Sequence, residues 1–488
     1  MRTDPDLKEI LWKAADKLRG SVDAALYRDF VLGLVFLKYV SDSAGSAGSA
    51  GEGAFRVPAG ARWTELASQA GTETIGAAID GAMDAVMDAN PPLAGVLPKL
   101  FGRDGVDQRR LGELVMLIGD VRFGGHGNGS GARSARDVLG EVYEYFLEKF
   151  ARAEGKRGGE FYTPSSVVRV LVEILEPFKG RVYDPCCGSG GMFVQAEKFV
   201  LSHRGRPDDI AVHGQEANER TWRLAKMNLA VHGIAGDLSA RWGDTFYEDA
   251  HPALQADYVL ANPPFNMSDW YRNPDDPRWR FGIPPAGNAN FAWIQHIVAK
   301  LGPTGAAGVV MANGSMSSRQ SAEHGIRAAM VEADLVSCVI ALPGHLFRST
   351  PIPACLWFFD KGKSTRNEVL FIDARTMGTM LDRTERVLTA ADVARIAGAY
   401  HSWRDGSYSD VPGFCHAAGL AEIRSFDHVL TPGRYVGTAS TATDGKAAGD
   451  EPVTDQVERL TKELFTQFEE SARLDQVVRA ELGRLDAG

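Results

Sequence analysis

Long hydrophobic runs, paired cysteines and excess positive charge are all missing from this chain. No apolar stretch approaches the roughly 18 residues that cross a bilayer. The start, Met1-Arg2-Thr3-Asp4-Pro5-Asp6, is too polar for a secretory signal. Five cysteines occur in 488 residues, at 186, 187, 338, 355 and 415, without the pairing of a disulfide framework. Cys338 and Cys355 sit in apolar, strand-like runs, which suits a reducing cytoplasm. Adjacent Cys186 and Cys187 have no second Cys/His pair at zinc spacing, so no metal is expected. Gly362-Lys363-Ser364 echoes the end of a phosphate-binding loop, but Trp357 stands where its upstream glycine belongs, so ATP binding is unsupported. Neither a nuclease carboxylate-lysine set nor helicase motifs occur, which excludes cutting and translocation. Lys and Arg number 53 against 63 Asp and Glu, a net charge of −10. Hydrophobic content of 44% and charged content of 24% are ordinary for a soluble chain of two or three domains.

What is present starts at Asn262-Pro263-Pro264-Phe265. It follows Asp257-Tyr258-Val259-Leu260-Ala261, an apolar run that reads as a buried strand. Two prolines supply no N–H and hold φ near −65°, so the chain is stiff and its carbonyls point outward. The Asn262 side-chain oxygen and the Pro263 carbonyl then present two acceptors side by side, which suits an exocyclic amino group. Accepting both hydrogens localises the nitrogen lone pair for attack, and Phe265 offers a face for stacking. The same residues also suit a plain proline-stiffened turn with Asn262 capping a helix.

Arg181-Val182-Tyr183 leads into Asp184-Pro185-Cys186-Cys187-Gly188-Ser189-Gly190-Gly191-Met192, read as strand, glycine turn and helix start. Phe193 and Val194 occupy the region of the third glycine of a dinucleotide fingerprint, which disfavours NAD. A next strand, Ile210 to Gln215, ends at Glu216, about where a ribose-binding carboxylate belongs. Asp244, after Ala240-Arg241-Trp242-Gly243, is a candidate acceptor for an adenine amino group. That order describes a nucleoside cofactor beside an amine substrate.

With these motifs the chain resembles an S-adenosylmethionine-dependent adenine-N6 DNA methyltransferase, and more closely the modification subunit of a type I restriction-modification system. Gly159-Glu160-Phe161-Tyr162-Thr163-Pro164 resembles the family's Gly-Gln-aromatic-aromatic-Thr-Pro cofactor motif, with Glu160 in place of the commoner Gln. Locally it reads as Thr163 at an N-cap and Pro164 as first helical residue. The resemblance runs from Leu11 to about Lys361. It implies an α/β fold: a Rossmann-like methyltransferase sheet with an N-terminal helical domain and a C-terminal helical extension. It implies Asn262, Pro263, Pro264 and Phe265 as catalytic residues. The residues of that hexapeptide, with Asp184, Gly188, Ser189, Gly190, Gly191, Glu216 and Asp244, become cofactor-binding. Pro185-Cys186 looks like a cytosine-methylation nucleophile but sits inside the glycine loop, so both cysteines read as wall residues.

Residues 1–150 read as helical, with Leu7, Ile10, Leu11, Ala14 and Leu18 on one face, a dense segment from Phe30 to Val40, and helices starting at Asp107 and Asp137. Ser43 to Gly53 and Gly124 to Gly131 read as loops. Residues 151–375 form the catalytic domain, with further strands at Ala307–Met311, Leu335–Leu342 and Cys355–Phe359 and an edge strand at Val369–Ile372. Residues 376–450 are mixed and turn-rich. Residues 451–488 carry a heptad-like stripe from Val457 to Leu485, which either packs on its own domain or docks a partner. The insertion Asn266 to Phe291 holds Trp270, Tyr271, Arg272, Arg278, Trp279 and Arg280, suited to phosphates and an extruded base or to a lid over the cleft.

Duplex binding rests on phosphate neutralisation, so an acidic chain must borrow DNA affinity. The catalytic pocket reads only an extruded base, and no target-reading domain is evident. The resemblance supplies the partners: DNA, a specificity subunit bound by two modification subunits, and a restriction subunit for cleavage, with no membrane. Two other readings stand beside it. One is methylation of a different planar amine or amide, on protein glutamine or an RNA base. The other is a non-catalytic assembly subunit that keeps cofactor binding, against which the intact Asn262 and Phe265 argue.

Overall fold

Strands buried at successive positions need cover on both faces, and the centre of this protein is built from such strands. The computed structural model describes residues 12, 24–45, 55–120, 135–154, 162–347, 350–437, 461 and 465. The strands are β1 (Gly180–Asp184), β2 (Ile210–Gly214), β3 (Gly236–Asp237), β4 (Ala256–Ala261), β5 (Leu301–Ala312), β6 (Val336–Ala341), β7 (Ala354–Asp360), β8 (Glu368–Asp373), β9 (Thr379–Met380), β10 (Arg386–Val387) and β11 (Cys415–Gly419). Nine of them form one sheet in the order β11-β8-β6-β7-β5-β4-β1-β2-β3, and β9 and β10 make a separate hairpin. β1 pairs in parallel with β2 and β4, and β4 with β5, whereas β7 runs antiparallel between β5 and β6. This is the expected α/β fold.

Period-2 alternation splits the core into two layers. Val182, Leu260, Val310, Ile340 and Leu356 face the helices Ser165–Leu175, Gly191–Ser202, Glu219–His232 and Ala390–Arg404. Tyr183, Val259, Val309, Val339 and Trp357 face Asn290–Lys300, Ser321–Glu332 and Leu420–Ser425. The chain leaves β1 toward β2 and β3, then returns to place β4 on the other flank of β1. The carboxyl ends of β1 and β4 therefore bracket a topological switch point, where such sheets bind ligands.

The N-terminal helices have a core of their own. Phe30, Leu32, Leu34, Val35, Phe36, Leu37 and Val40 are all fully buried in the helix Ala24–Gly45. Leu139, Tyr143 and Phe146 join them from Ala135–Glu154. Glu219–His232 serves both cores: Leu224, Met227 and Val231 turn to the helical domain, while Trp222, Ala225 and Leu229 turn to the sheet. Asp107 caps Gln108–Gly119 by accepting from the Arg110 N–H.

Three expectations shift. The helix Ala24–Gly45 takes in Ser43, Ala44 and Gly45, the first three residues of the segment read as a loop, and the rest of that segment lies outside the described residues. Val369–Ile372 belongs to an interior strand, because β11 pairs antiparallel outside β8. Its four buried residues, Val369, Leu370, Phe371 and Ile372, are what a two-sided strand requires. β11 itself, Cys-His-Ala-Ala-Gly, has no strand-like alternation to announce it. The helix after Thr163 starts at Ser165 with Pro164 in the capping position and no side-chain cap. Thr163 therefore does not cap the helix, and its hydroxyl serves elsewhere. The face at 7–18, the 124–131 breaker and the 451–488 stripe lie outside the described residues, apart from Trp12, Thr461 and Phe465.

Candidate active site

At the end of β1 the chain must turn sharply while its backbone stays open to a guest. Gly188 and Gly190 do this with φ of +55° and +78°, which a side chain would resist. Gly190 then starts the helix Gly191–Ser202, whose N-terminus has no side-chain cap. The turn is tied down from three directions. Asp184 Oδ1 accepts the Cys186 N–H at 3.0 Å, the Glu216 carboxylate accepts the Gly188 N–H at 3.0 Å, and Asn228 Nδ2 donates to the Ser189 carbonyl at 2.8 Å. Asp184 is 1% exposed, and burial pushes its carboxyl up to about 7 against the pull of the Cys186 N–H. Burial also raises both neighbouring thiols well above their usual range, so neither cysteine is an activated nucleophile.

Glu216, just past β2, is half-buried. Its other oxygen accepts the Asn218 N–H at 2.8 Å, and burial raises its carboxyl despite these bonds. Each oxygen still has a lone pair for a hydroxyl. The Asp244 segment is fastened to the same strand end. The Gly243 N–H donates to the Glu216 carbonyl at 2.9 Å, and Gln215 Nε2 donates to the Gly243 and Glu248 carbonyls. Thr245 Oγ1 donates to the Pro185 carbonyl at 2.6 Å, locking this segment to the glycine turn. Asp244 is exposed, and one of its oxygens accepts the Phe246 N–H at 2.8 Å.

At the end of β4, Asn262 Nδ2 donates to Thr163 Oγ1 at 3.0 Å. That single bond fixes the amide plane. Asn262 Oδ1 is buried and has no partner among the described residues. A buried acceptor left this way costs about 1–3 kcal/mol. Phe265 is 37% exposed and touches Phe347 edge-on, with centroids 6.2 Å apart and planes at 71°, so its face stays open. Asn266 takes a left-handed φ of +52° and is held by Asn290, which accepts its N–H and donates to its side chain, both at 2.9 Å.

One narrow cavity collects Tyr162, Thr163, Asp184, Gly188, Ser189, Gly191 and Asn262, with Cys186, Cys187 and Met192 as wall. Pro164, Gly190, Glu216 and Asp244 are not among its lining residues; Glu216 reaches it through the Gly188 N–H, and the segment of Asp244 through the bond from Thr245 to Pro185. Pro263 is buried and Pro264 exposed beside it. Gly159, Glu160 and Phe161 lie outside the described residues.

In the insertion, the arginine with the most contacts points inward. Arg278 binds Asp276, the Thr245 and Phe246 carbonyls, and His296 Nδ1 at 2.9 Å. Donation from Arg278 makes Nδ1 the acceptor, so the neutral ring carries its proton on Nε2, toward Tyr183 Oη at 3.1 Å. Burial keeps that ring from charging. Trp279 packs with Phe246 and Trp293, Trp270 Nε1 donates to Ala286 and Arg272 to Pro284. For these residues the packed lid describes the contacts, and Arg278 is not a phosphate ligand. Lys363, the phosphate-loop decoy, is buried against Asp334 and the Val336 carbonyl. Asn228, Asn290, Thr245 and Arg278 are the positioning residues that sequence reading missed. Asn228 had a signal: it is a polar residue on the sheet-facing side of an amphipathic helix, between Ala225 and Leu229.

Strand order, glycine turn and Asn-Pro-Pro-Phe turn together define an α/β S-adenosylmethionine-dependent methyltransferase of the amino-group class. The chain matches the N-6 DNA methylase family over residues 134–444 and the HsdM N-terminal domain family over residues 7–118. It is 45% identical over 447 residues to the HindI type I restriction enzyme methylase subunit of Haemophilus influenzae, which spans 88% of this chain and 99% of that protein. The MjaIX methylase subunit of Methanocaldococcus jannaschii is 34% identical over 89% of this chain and 84% of its own length. A solved type I restriction-modification methyltransferase subunit from Streptococcus thermophilus superposes with a TM-score of 0.76 at 26% identity, covering 89% of this chain and 100% of that one. The chain belongs to the N-6 DNA methylases, as a modification subunit of the type I restriction-modification family and so an adenine-specific DNA methyltransferase.

Proposed function

We propose that Asn262, Pro263 and Phe265 receive an adenine extruded from duplex DNA and direct its N6 to the methyl group of S-adenosylmethionine. The observation that carries this reading is the buried, unpartnered Oδ1 of Asn262. Thr163 holds the amide's donor end, so the acceptor end faces the guest. Oδ1 and the Pro263 carbonyl accept the two N6 hydrogens, which draws the lone pair out of the ring and onto nitrogen. Phe265 stacks on the base and holds it against its tendency to return to the duplex.

The donor set fits the cofactor. Glu216 keeps lone pairs for the ribose hydroxyls, Asp244 keeps a free carboxylate oxygen for the cofactor's adenine, and Tyr162 to Pro164 supply the wall between the two ligands. Gly188 to Gly191 let backbone approach the methionine part, and the uncapped helix start at Gly191 suits its carboxylate. When bound, S-adenosylmethionine supplies an electrophilic methyl group whose sulfonium leaves as a neutral thioether, and N6 gives up one of its two hydrogens to solvent as a proton. The protein's share is positioning and an acceptor; no covalent intermediate with Cys186 or Cys187 is needed.

The partner arrangement is read from charge. A chain of net charge −10 is a poor duplex binder alone, which calls for a partner that reads the site; membership in the type I family implies that this is a specificity subunit served by two modification subunits, with a restriction subunit joining for cleavage. The 451–488 stripe is the proposed docking element. Transfer of labelled methyl from S-adenosylmethionine to plasmid DNA, with and without the specificity subunit, tests the whole reading. Full site-specific transfer by the lone chain overturns the partner assignment, and transfer to RNA or protein instead of DNA overturns the substrate.

A further inference from the structure

Outside the cavity that Asn262 lines, three side chains converge whose donor atoms are not used by hydrogen bonds to one another. His213 lies on β2 and faces Asp237 across the β2–β3 pairing, and His251 arrives from the segment after Asp244. One ligand atom from each lies within 4.8 Å of the others. Asp237 Oδ2 is 3.9 Å from His213 Nδ1 and 3.8 Å from His251 Nδ1. These gaps are too long for hydrogen bonds. They suit donors around a shared ion: a point equidistant from all three lies roughly 2.2–2.5 Å from each, close to zinc–nitrogen and zinc–oxygen lengths.

Each donor is also aimed. His251 is 8% exposed, and its Nε2 lies 2.9 Å from the Gly214 carbonyl oxygen. A carbonyl only accepts, so Nε2 carries the proton and Nδ1 keeps its lone pair. Asp237 Oδ1 accepts the Ser239 N–H at 3.0 Å, which turns Oδ2 to the rings. His213 Nδ1 is buried with no hydrogen-bond partner among the described residues. Burial, the neighbouring His251 and nearby Arg181 all work against protonation of the His213 ring, although Asp237 works for it. A carbonyl behind one imidazole and an amide behind the carboxylate are the outer contacts that orient metal ligands.

We propose that His213, Asp237 and His251 form a binding site for a divalent cation of the zinc class, completed by water on the exposed side of Asp237. Two imidazoles and one carboxylate form a donor set for such an ion, and an open fourth position is normal with three protein ligands. A second His/Asp group among the described residues, His324, Asp427 and His428, does not qualify. His324 Nε2 already meets Asp427, and His428 Nε2 meets Glu332 at 2.8 Å.

The bound ion joins β2, β3 and the segment that reaches His251. Gln215 pins the same segment through Gly243, Glu248 and Ala250, one residue before Glu216. The ion is thus a fastener for the wall that carries Glu216 and Asp244. Its coupling to the cofactor rests on the function proposed above; its existence does not.

The test is a titration of untagged, chelator-stripped full-length chain with Zn²⁺ against a chromophoric competitor, repeated with Co²⁺ for its visible spectrum. One equivalent per chain, at micromolar affinity or tighter, is expected. Asp237→Asn, at a largely exposed side chain that tolerates change, should weaken binding by more than about tenfold without moving the melting temperature of the metal-free protein. His213→Gln should do the same, and His324→Gln should change nothing. Absence of saturable Zn²⁺ binding, or undiminished binding in Asp237→Asn, overturns the site. If Zn²⁺ binds as expected but leaves S-adenosylmethionine affinity unchanged, the fastener role is overturned and the metal site stands.

Discussion

The turn after β1 and the turn after β4 stand side by side and treat their polar atoms in opposite ways. Around the glycine turn, Asp184, Glu216 and Asn228 spend hydrogen bonds on the chain itself, fixing Cys186, Gly188 and Ser189. At Asn262 the amide's donor end is fixed by Thr163 while its acceptor end, though buried, meets nothing described. The first turn is shaped before any ligand arrives. The second keeps an unmet demand that only a donor-bearing guest satisfies, which biases the site toward an amino group over an isosteric keto group.

The largest effect is expected where that demand is removed. Asn262→Ala should lower methyl transfer by about 10²–10³, in line with loss of one preorganised polar group at a reacting centre. Cofactor affinity should change by less than about threefold, since Asn262 belongs to the substrate side of the comparison. Radiolabelled transfer and calorimetry read the two separately. Comparable losses in both would break the division between the turns.

Next comes pH. The Asp184 carboxyl is held near 7 by burial, whereas in the unfolded chain it ionises near its ordinary value of 3.8. Between those values the folded state binds more protons, so stability falls as pH rises from about 4 to 7 and the deficit is complete above it. For this one group the decline is on the order of 4 kcal/mol. Asp184→Asn cannot ionise and keeps an acceptor for the Cys186 N–H, so chemical denaturation across that window should show a flatter profile. An unchanged profile would mean that the Asp184 carboxylate is stabilised by groups other than its described neighbours.

Much of this was legible from sequence, for reasons that differ by element. β4, β6 and β7 are largely apolar runs bounded by turn residues, β1 was legible from the glycine turn it leads into, and both ligand turns carry residue types whose stereochemistry forces their shape. β8 was legible as a strand but not as an interior one, because its neighbour β11 is made of small residues without alternation. Thr163 looked like a helix cap because Thr-Pro normally is one; its true partner, Asn262, is 99 residues away. The inward role of Arg278 was hidden for a similar reason. An arginine among aromatics reads as a nucleic-acid contact until the carbonyls of Thr245 and Phe246 are seen to face it. His213, Asp237 and His251 share no zinc-like spacing: the pairing of β2 with β3 brings the first two together, and the segment after Asp244 brings the third.

A third change sharpens the cofactor side. Glu216→Ala removes the charged acceptor proposed for the ribose and also frees the Gly188 N–H. Each charge-assisted bond contributes about 1.5–3 kcal/mol, so affinity for S-adenosylmethionine should fall by about tenfold to a hundredfold. The maximal rate at saturating cofactor should fall far less. Calorimetry with the isolated chain is sufficient, and unchanged affinity would place the ribose elsewhere.

The smallest expected effect tests whether the substrate side selects a ring as well as an amino group. Phe265 is the one member of its tetrapeptide with an aromatic face, and its edge contact with Phe347 leaves that face toward solvent. Little of its packing is needed for folding, so Phe265→Ala should melt within a few degrees of the parent. Stacking contributes about 1–3 kcal/mol per base, so the loss should fall on kcat/KM by roughly tenfold, well short of the loss at Asn262. Phe265→Tyr keeps a flat ring and should recover most of the rate, whereas Phe265→Leu keeps the apolar volume and should not. Equal recovery by Tyr and Leu would show that the pocket needs bulk at this position rather than a face, and Asn262 alone would then distinguish the substrate turn from its neighbour.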